Sequence, residues 1–316
     1  MKDSYERNIT YLRLSVTQRC QLNCRYCQNH ATTDREELTR REISQIVTSM
    51  AEQGIRKVRL TGGEPLIRED IISIVEDIRN TNHIEEVGIT TNGILLDEKL
   101  DGLKRAGITS VNVSLDTLDI KRYQDITGFD RLATVMSGIE KTEAMGIAVK
   151  INTVLMRGIN DDEVDSFIEL TRKRKRDVRF IELMPMNNSM EESVMDELRI
   201  SGEELLHKYP LLIKEPDDYK GQPACLYRMP GYKGRVGFIN PVSQCFCQEC
   251  NRIRVLSNGM IRPCLGSDKT FSLKEALRSS EKEVESVIHQ AILQKPEKYE
   301  YMTDGRSRNS MSQIGG

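Results

Sequence analysis

Short runs of β-branched and aliphatic residues alternate, through the first half of the chain, with longer stretches of helical period. That is the pattern of repeated βα units and a parallel sheet. Six strands are predicted, at Thr10–Val16, Lys57–Thr61, Glu86–Thr90, Ser110–Leu115, Ala148–Leu155 and Val178–Leu183. Between them, Ile43, Ile46, Val47 and Met50 share one face of a helix predicted over Thr39–Gln53. Ile71, Ile74, Val75 and Ile78 do the same over Ile71–Arg79. Gly54, Gly107 and Gly146 follow three such helices, where a left-handed C-cap is expected.

Strands separated by helices imply either a complete or partial (β/α) barrel or an open doubly wound sheet. The placement of the unusual polar residues favours the barrel. Arg19-Cys20 follows the first strand, Gly62-Gly63-Glu64-Pro65 the second, Thr91-Asn92-Gly93 the third and Asp116 the fourth, while Glu182-Leu183-Met184-Pro185 closes the sixth. In a barrel those C-terminal strand ends converge on one mouth. From about Asn187 the alternation stops. A helix near Ser201–Lys208, a short β region at Arg235–Ile239, Ile253–Leu256 and Met260–Pro263, and helices at Ser272–Arg278 and Lys282–Leu293 follow. Ser257-Asn258-Gly259 is a hairpin signal joining two of those strands. The expected fold is therefore α/β, a partial (β/α)6 barrel over residues 1–186 with an α+β extension over residues 187–316.

At 316 residues with 38% hydrophobic and 30% charged, the chain can bury a real core, which sets aside disordered and fibrous classes. No apolar run approaches the roughly 18 to 20 residues a bilayer span needs, and the start is polar, so a cytoplasmic protein with no membrane partner is expected. Forty-six basic against 48 acidic side chains give a net charge of −2. The whole molecule thus lacks the field of a dedicated nucleic-acid binder, and any anion site must be local. No Walker-type phosphate loop is present. Arg172-Lys173-Arg174-Lys175-Arg176 reads as the solvated, dipole-stabilising end of a helix.

The eight cysteines change the picture most. A chain of this size has no need of a disulfide framework, and the spacing is that of metal or redox sites. Cys20-x3-Cys24-x2-Cys27 sits in a loop directly after the first strand. Three thiolates within eight residues can wrap one cubane iron–sulfur cluster and leave one iron open for a substrate or cosubstrate. The alternative is a zinc site completed by His30. Cys247, Cys250 and Cys264 form a second three-thiolate set, whose alternative is a zinc ribbon with Cys245 as fourth ligand. Cys225 and Cys245 are otherwise expected to be unligated. Arg252 and Arg254 project from one face of a strand beside this set, two guanidinium forks ready for an anion.

Leu12-Arg13-Leu14-Ser15-Val16-Thr17-Gln18-Arg19-Cys20-Gln21-Leu22-Asn23-Cys24-Arg25-Tyr26-Cys27 resembles the signature of radical S-adenosylmethionine (SAM) enzymes, and Gly62-Gly63-Glu64-Pro65 resembles their SAM-contacting turn. Almost end to end, the chain resembles one branch, the GTP 3′,8-cyclases of molybdenum-cofactor biosynthesis. That match runs through Leu60–Arg68, Thr90-Thr91-Asn92-Gly93, Val111–Asp116, Val149-Lys150-Ile151-Asn152, Gly158–Glu163, Arg179–Pro185, Cys250–Arg254, Arg262–Leu265 and Gly315-Gly316. The resemblance implies a radical SAM partial barrel and two [4Fe–4S] clusters, the first on Cys20, Cys24 and Cys27 and the second on Cys247, Cys250 and Cys264. It implies SAM contacts from Tyr26, Gly63, Ser114 and Met184, and GTP contacts from Arg13, Arg59, Thr90, Lys150, Arg252, Ile253 and Arg254. Arg13, Arg252, Arg254 and the Gly315-Gly316 tail would be the catalytic groups. An external one-electron reductase, a downstream cyclic pyranopterin monophosphate synthase and a second copy of the chain are the implied partners.

Physical chemistry supports part of this independently, because a nearly neutral chain can hold a triphosphate only by concentrating cations where it sits. Arg13, Lys57, Arg59, Lys150, Arg179, Arg252 and Arg254 are the candidates, with a surface ion pair an equal reading for Lys57 and Arg179. Glu64 and Asp116 are expected to bind amides and cations at the mouth. Gln28-Asn29-His30, Tyr299 and Cys245 depart from the family pattern. A different radical SAM enzyme with an auxiliary cluster, or a zinc or redox-binding protein, are the remaining readings.

Overall fold

A computed structural model describes residues 1–27, 36–186, 191–299 and 311–315. The first half runs β1 (Tyr11–Ser15), α1 (Arg40–Glu52), β2 (Lys57–Thr61), α2 (Ile71–Asn80), β3 (Glu86–Thr91), α3 (Leu96–Arg105), β4 (Ser110–Ser114), α4 (Ile120–Thr127), α5 (Leu132–Ala144), β5 (Ala148–Leu155), α6 (Val164–Glu169) and β6 (Asp177–Glu182). The second half adds α7 (Glu192–Leu198), α8 (Gly202–Lys208), β7 (Ile213–Lys214), β8 (Cys225–Arg228), β9 (Arg235–Ile239), β10 (Arg252–Val255), β11 (Met260–Arg262), β12 (Phe271–Ser272), α9 (Leu273–Ser279), α10 (Glu281–Leu293) and α11 (Met311–Ile314). All six expected barrel strands are present, within a residue or two of their expected ends. Gly54, Gly107 and Gly146 do take left-handed conformations after their helices, and Thr39 caps α1 through a reciprocal box with Glu42.

The six strands lie in sequence order and parallel, and the second half extends the sheet at both ends. β10 pairs in parallel with β1, and β9 in parallel with β6. Antiparallel β11 and β12 lie outside β10, and antiparallel β8 and β7 outside β9. Among the described residues β9 and β10 do not pair, so the barrel is partial.

Period-two alternation assigns the two faces. Leu12, Leu14, Val58, Leu60, Val87, Ile89, Val111, Val113, Val149, Ile151, Val178 and Phe180 are all buried in the main core. The apolar stripes of α1 and α2 pack into the same core. The alternate residues face the interior of the curve and are mostly polar. Phe180 joins the two halves, lying edge-on to Phe167 and stacked at 6.0 Å on Phe238, its register partner in β9. Arg235 of β9 also grips Asp177 of β6 through two bonds, at 3.0 and 2.9 Å.

One expectation is corrected. α6 ends at Glu169, so the run Arg172–Arg176 lies in the turns beyond it rather than on a helix end. Arg172 to Lys175 are exposed, but Arg176 is buried and held by Glu143 at 2.6 and 2.7 Å. The reason is spatial: the chain here dives from the surface into β6, and Arg176 must carry its charge inward with a partner.

Truncating Phe180 removes the ring that packs the barrel against the extension. Phe180→Ala is expected to cost about 3–5 kcal/mol in denaturant unfolding of the apoprotein. A cost under about 1 kcal/mol would mean that the halves are joined by their backbone ladder alone.

Candidate active site

The interior-facing residues converge on a cavity of about 350 Å³. Strand register decides which side chains meet there. Tyr11 stands between Lys57 and Arg252, and Arg13 between Arg59 and Arg254. Asn112 faces Lys150, and Asn152 faces Arg179. All seven candidate cations therefore line one cavity. The proposed surface pairing of Lys57 does exist, to Glu86 at 2.5 Å, yet Lys57 is mostly buried and also lies over the Tyr11 and Tyr219 rings. Arg179 reaches Asp177 only at 3.9 Å.

Crowding like charges in a buried space shifts the groups around them. Burial pushes the Tyr11 phenol up, but Arg59, Arg13 and Lys57, with an Arg59 hydrogen bond, bring it down to about 7. Burial, then Arg179 and Arg59, depress the Lys150 ammonium to about 8 despite the opposing pull of Asp177. Burial lowers Arg13 to about 10, which leaves it charged at neutral pH. Arg59 is fully anchored: it donates to Tyr11 Oη at 2.9 Å, the Ile89 carbonyl at 2.9 Å and Ser110 Oγ at 2.8 Å. Its guanidinium lies flat across Gly88, where any Cβ would sit 2.5 Å from it.

Cys20, Cys24 and Cys27 face the same cavity from the loop after β1. Burial raises the Cys20 and Cys24 thiols. The Leu22 amide at 3.4 Å and Asn92 Nδ2 at 3.8 Å already donate to Cys20 Sγ. Glu64 and Asp116 hold the walls of this loop. Glu64 is buried and accepts from Leu66 N at 3.0 Å, Thr91 Oγ1 at 2.7 Å and Asn92 N at 2.6 Å. Burial still lifts its carboxyl to about 7. Asp116 accepts from Val154 N at 2.8 Å and from Tyr26 Oη at 2.6 Å, tying the residue between two cysteines to β4. Both carboxylates bind amides and hydroxyls; no cation pairs with either among the described residues. Gly63, Ser114 and Met184 line the cavity nearby.

Cys247, Cys250 and Cys264 line it too, with Cys245 exposed beside them and Cys225 apart on β8. Burial pushes the Cys250 thiol up, but Arg252 and Lys295 bring it down to about 6. Arg252 lies 4.6 Å over the Phe246 ring. The Ile253 side chain points the other way into the core, so any ligand contact from that position goes through its backbone. Gly315 reaches the interior: its carbonyl accepts from Arg254 Nη1 at 2.7 Å, and a Cβ there would lie 2.3 Å from Thr61 Oγ1. Ile314 anchors it in a small cluster with Met186 and Leu256. Gly316, Gln28, Asn29 and His30 lie outside the described residues.

The donor sets fit iron–sulfur clusters. Each set presents three cysteine thiols to one cavity, the soft donors that an iron–sulfur cluster takes. Polar atoms left over also point to a ligand: Thr90 Oγ1, Asn112 Oδ1, Asn152 Oδ1, Arg179 Nε and Arg252 Nε are buried with no partner among the described residues. Tyr11, Asn112 and Asn152 are site residues that the sequence alone does not single out, although Tyr11 shares a strand face with Arg13 and Asn152 with Lys150; Asn112 meets Lys150 only through the β4–β5 register. Lys295 is another, which no local pattern marks.

Residues 14–171 match the Radical SAM superfamily and residues 176–301 match Molybdenum Cofactor Synthesis C. The chain is 42% identical over 323 residues to a GTP 3′,8-cyclase of Alkaliphilus oremlandii, covering all of both chains. It is 42% identical over 328 residues to one of Desulforamulus reducens, again covering both completely. Among solved structures, Streptococcus suis SuiB bound to S-adenosylmethionine superposes with a TM-score of 0.62 at 16% identity, over 98% of this chain and 76% of that one. Native anSMEcpe with bound AdoMet gives 0.59 at 14% identity, over 89% and 83%. At those identities the likeness is one of fold. No helix among the described residues is long and apolar enough to cross a membrane.

Titration of the cation cluster gives a sign that can be checked. Between pH 6 and 9 both Tyr11 and Lys150 lose a proton, and each loss removes positive charge from the cavity. Calorimetric affinity for inorganic tripolyphosphate is expected to fall across this window relative to Lys150→Arg and Tyr11→Phe, which hold their charge state. Parent and variants keeping a constant affinity ratio would dissociate the two groups from the anion site.

Proposed function

The chain belongs to the GTP 3′,8-cyclase family of radical SAM enzymes, and from that premise we propose how its own residues run the reaction. The enzyme converts GTP to (8S)-3′,8-cyclo-7,8-dihydroguanosine 5′-triphosphate for molybdenum-cofactor biosynthesis. One observation carries the reading: two cysteine triplets and seven cations, drawn from both halves of the chain, line a single cavity.

Cys20, Cys24 and Cys27 would hold the first [4Fe–4S] cluster. That bound cluster supplies the electron that splits SAM into methionine and a 5′-deoxyadenosyl radical. Tyr26, Gly63, Ser114 and Met184 would position SAM, with Tyr26 held by Asp116. Lys57, Arg59, Lys150 and Arg179 would take the triphosphate, and the unpartnered Thr90 hydroxyl suits the nucleoside. Held in this way, the ribose would present its 3′-hydrogen to the SAM-derived radical, which would leave as 5′-deoxyadenosine. Carbon 3′ would then bond to carbon 8 of guanine, with one electron from the external reductase and one proton from solvent completing the product. Arg13 and Arg254, fixed in neighbouring register, would steady the charge of that step, with the Gly315 carbonyl limiting Arg254 to one orientation.

Cys247, Cys250 and Cys264 would hold a second [4Fe–4S] cluster against the guanine edge, near Arg252 and the Ile253 backbone. Electrons would come from an external one-electron reductase, and the product would pass to a cyclic pyranopterin monophosphate synthase. A second copy of the chain completes the assignment. Such chemistry belongs in a reducing compartment such as the cytoplasm, where thiols stay free for iron.

Anaerobic reconstitution should load about eight irons, as two cubanes require, and dithionite with SAM and GTP should form 5′-deoxyadenosine only as GTP is consumed. About four irons, or deoxyadenosine formed while GTP stays intact, would return the substrate to the wider radical SAM class. Removing Gly315-Gly316 should leave SAM cleavage largely intact and abolish cyclised nucleotide. An unchanged product yield would dismiss the tail from the reaction.

A further inference from the structure

Lys295 stands two residues after α10 and is 4% exposed. Its ammonium donates to the Arg252 carbonyl at 2.9 Å and the Pro263 carbonyl at 2.9 Å, and its charge helps to bring the Cys250 thiol down. No carboxylate is among these partners. A buried ammonium without a counter-charge is costly, and neutral carbonyls do not repay it. Thiolates carrying an iron cluster would.

The two carbonyls lie next to two cysteines of the second triplet. Arg252 opens β10 just after Cys250, and Pro263 immediately precedes Cys264. From the opposite side Arg262, fully buried, donates to the Cys264 carbonyl at 3.0 Å and the Leu265 carbonyl at 2.9 Å. Three successive carbonyls around Cys264 are therefore held by two buried cations. They add to the β10–β11 ladder, which ends at Arg254 and Arg262, a side-chain anchor nearer the two cysteines.

We infer that Lys295 is a positioning and tuning residue of the second cluster, holding two ligand arms in register and placing a buried positive charge beside them. The inference rests on the two-cluster reading above. A buried cation beside a cluster favours its reduced, more negative state and raises its potential.

The test uses the full-length chain reconstituted anaerobically, with irons counted, and follows the second cluster by EPR-monitored redox titration in a Cys20→Ala, Cys24→Ala, Cys27→Ala background. In Lys295→Met and Lys295→Gln the reduced-to-oxidised ratio at fixed poise should fall about tenfold, equivalent to about 59 mV for one electron. Lys295→Arg should keep the parental value. Loss of the second cluster from the Met and Gln variants, with retention in Arg, also supports the inference. Parental potentials in all three variants, or cluster loss in all three, overturn it. About four irons in the chain with Cys20, Cys24 and Cys27 intact, or no cluster in the triple-alanine background, would instead overturn the two-cluster reading, and this inference with it.

Discussion

Parallel register between β1 and its two neighbours sets three guanidiniums, Arg254, Arg13 and Arg59, side by side on one curved face. Like charges in a buried space repel strongly, so a fold that tolerates this row must neutralise it locally. Much of the surrounding structure does so. Tyr11 lies against Arg59, Gly88 leaves room for its flat guanidinium, and the Ile89 and Gly315 carbonyls take donors from Arg59 and Arg254. Among the described residues this leaves a cavity rich in cations with buried polar atoms lacking partners, a lining that suits a polyanion.

The second half of the chain makes this possible by joining the sheet at both ends. β10 brings Arg252 and Arg254 into register with β1, and β9 continues β6. The second cysteine triplet and the Gly315 carbonyl thereby reach a cavity whose other wall carries the first triplet. A cavity shared in this way needs both halves folded, so cofactor, cosubstrate and substrate groups are presented to each other only in the assembled sheet.

Much of this was legible in the sequence because periodicity is local information. Lys57–Thr61, Ala148–Leu155 and Arg235–Ile239 have the same bounds in pattern and structure. The polar residues at strand ends do gather at one mouth. What the pattern could not carry was long-range. Nothing in β10 names β1 as its neighbour, yet that pairing decides which arginines touch. Tyr11 reads as an ordinary strand aromatic until Lys57 and Arg252 flank it. Lys295 looks like any surface lysine after a helix until the fold brings the Arg252 and Pro263 carbonyls to it. Arg176 was misread for the same reason, since only Glu143, thirty-three residues earlier, shows that it is buried.

The open sheet also has two outer borders, and both are cut short. β7 and β12 are two residues each. β7 lies between Pro210 and Pro216, which cannot donate to a ladder, and Ser272 of β12 at once caps α9 by accepting from the Glu275 amide at 3.2 Å. Leu211 and Ile213 are exposed at the first border, where a longer strand would invite another chain to add on. By ending each border after two residues, the molecule keeps its backbone from templating fibrous growth, even when crowded at high concentration.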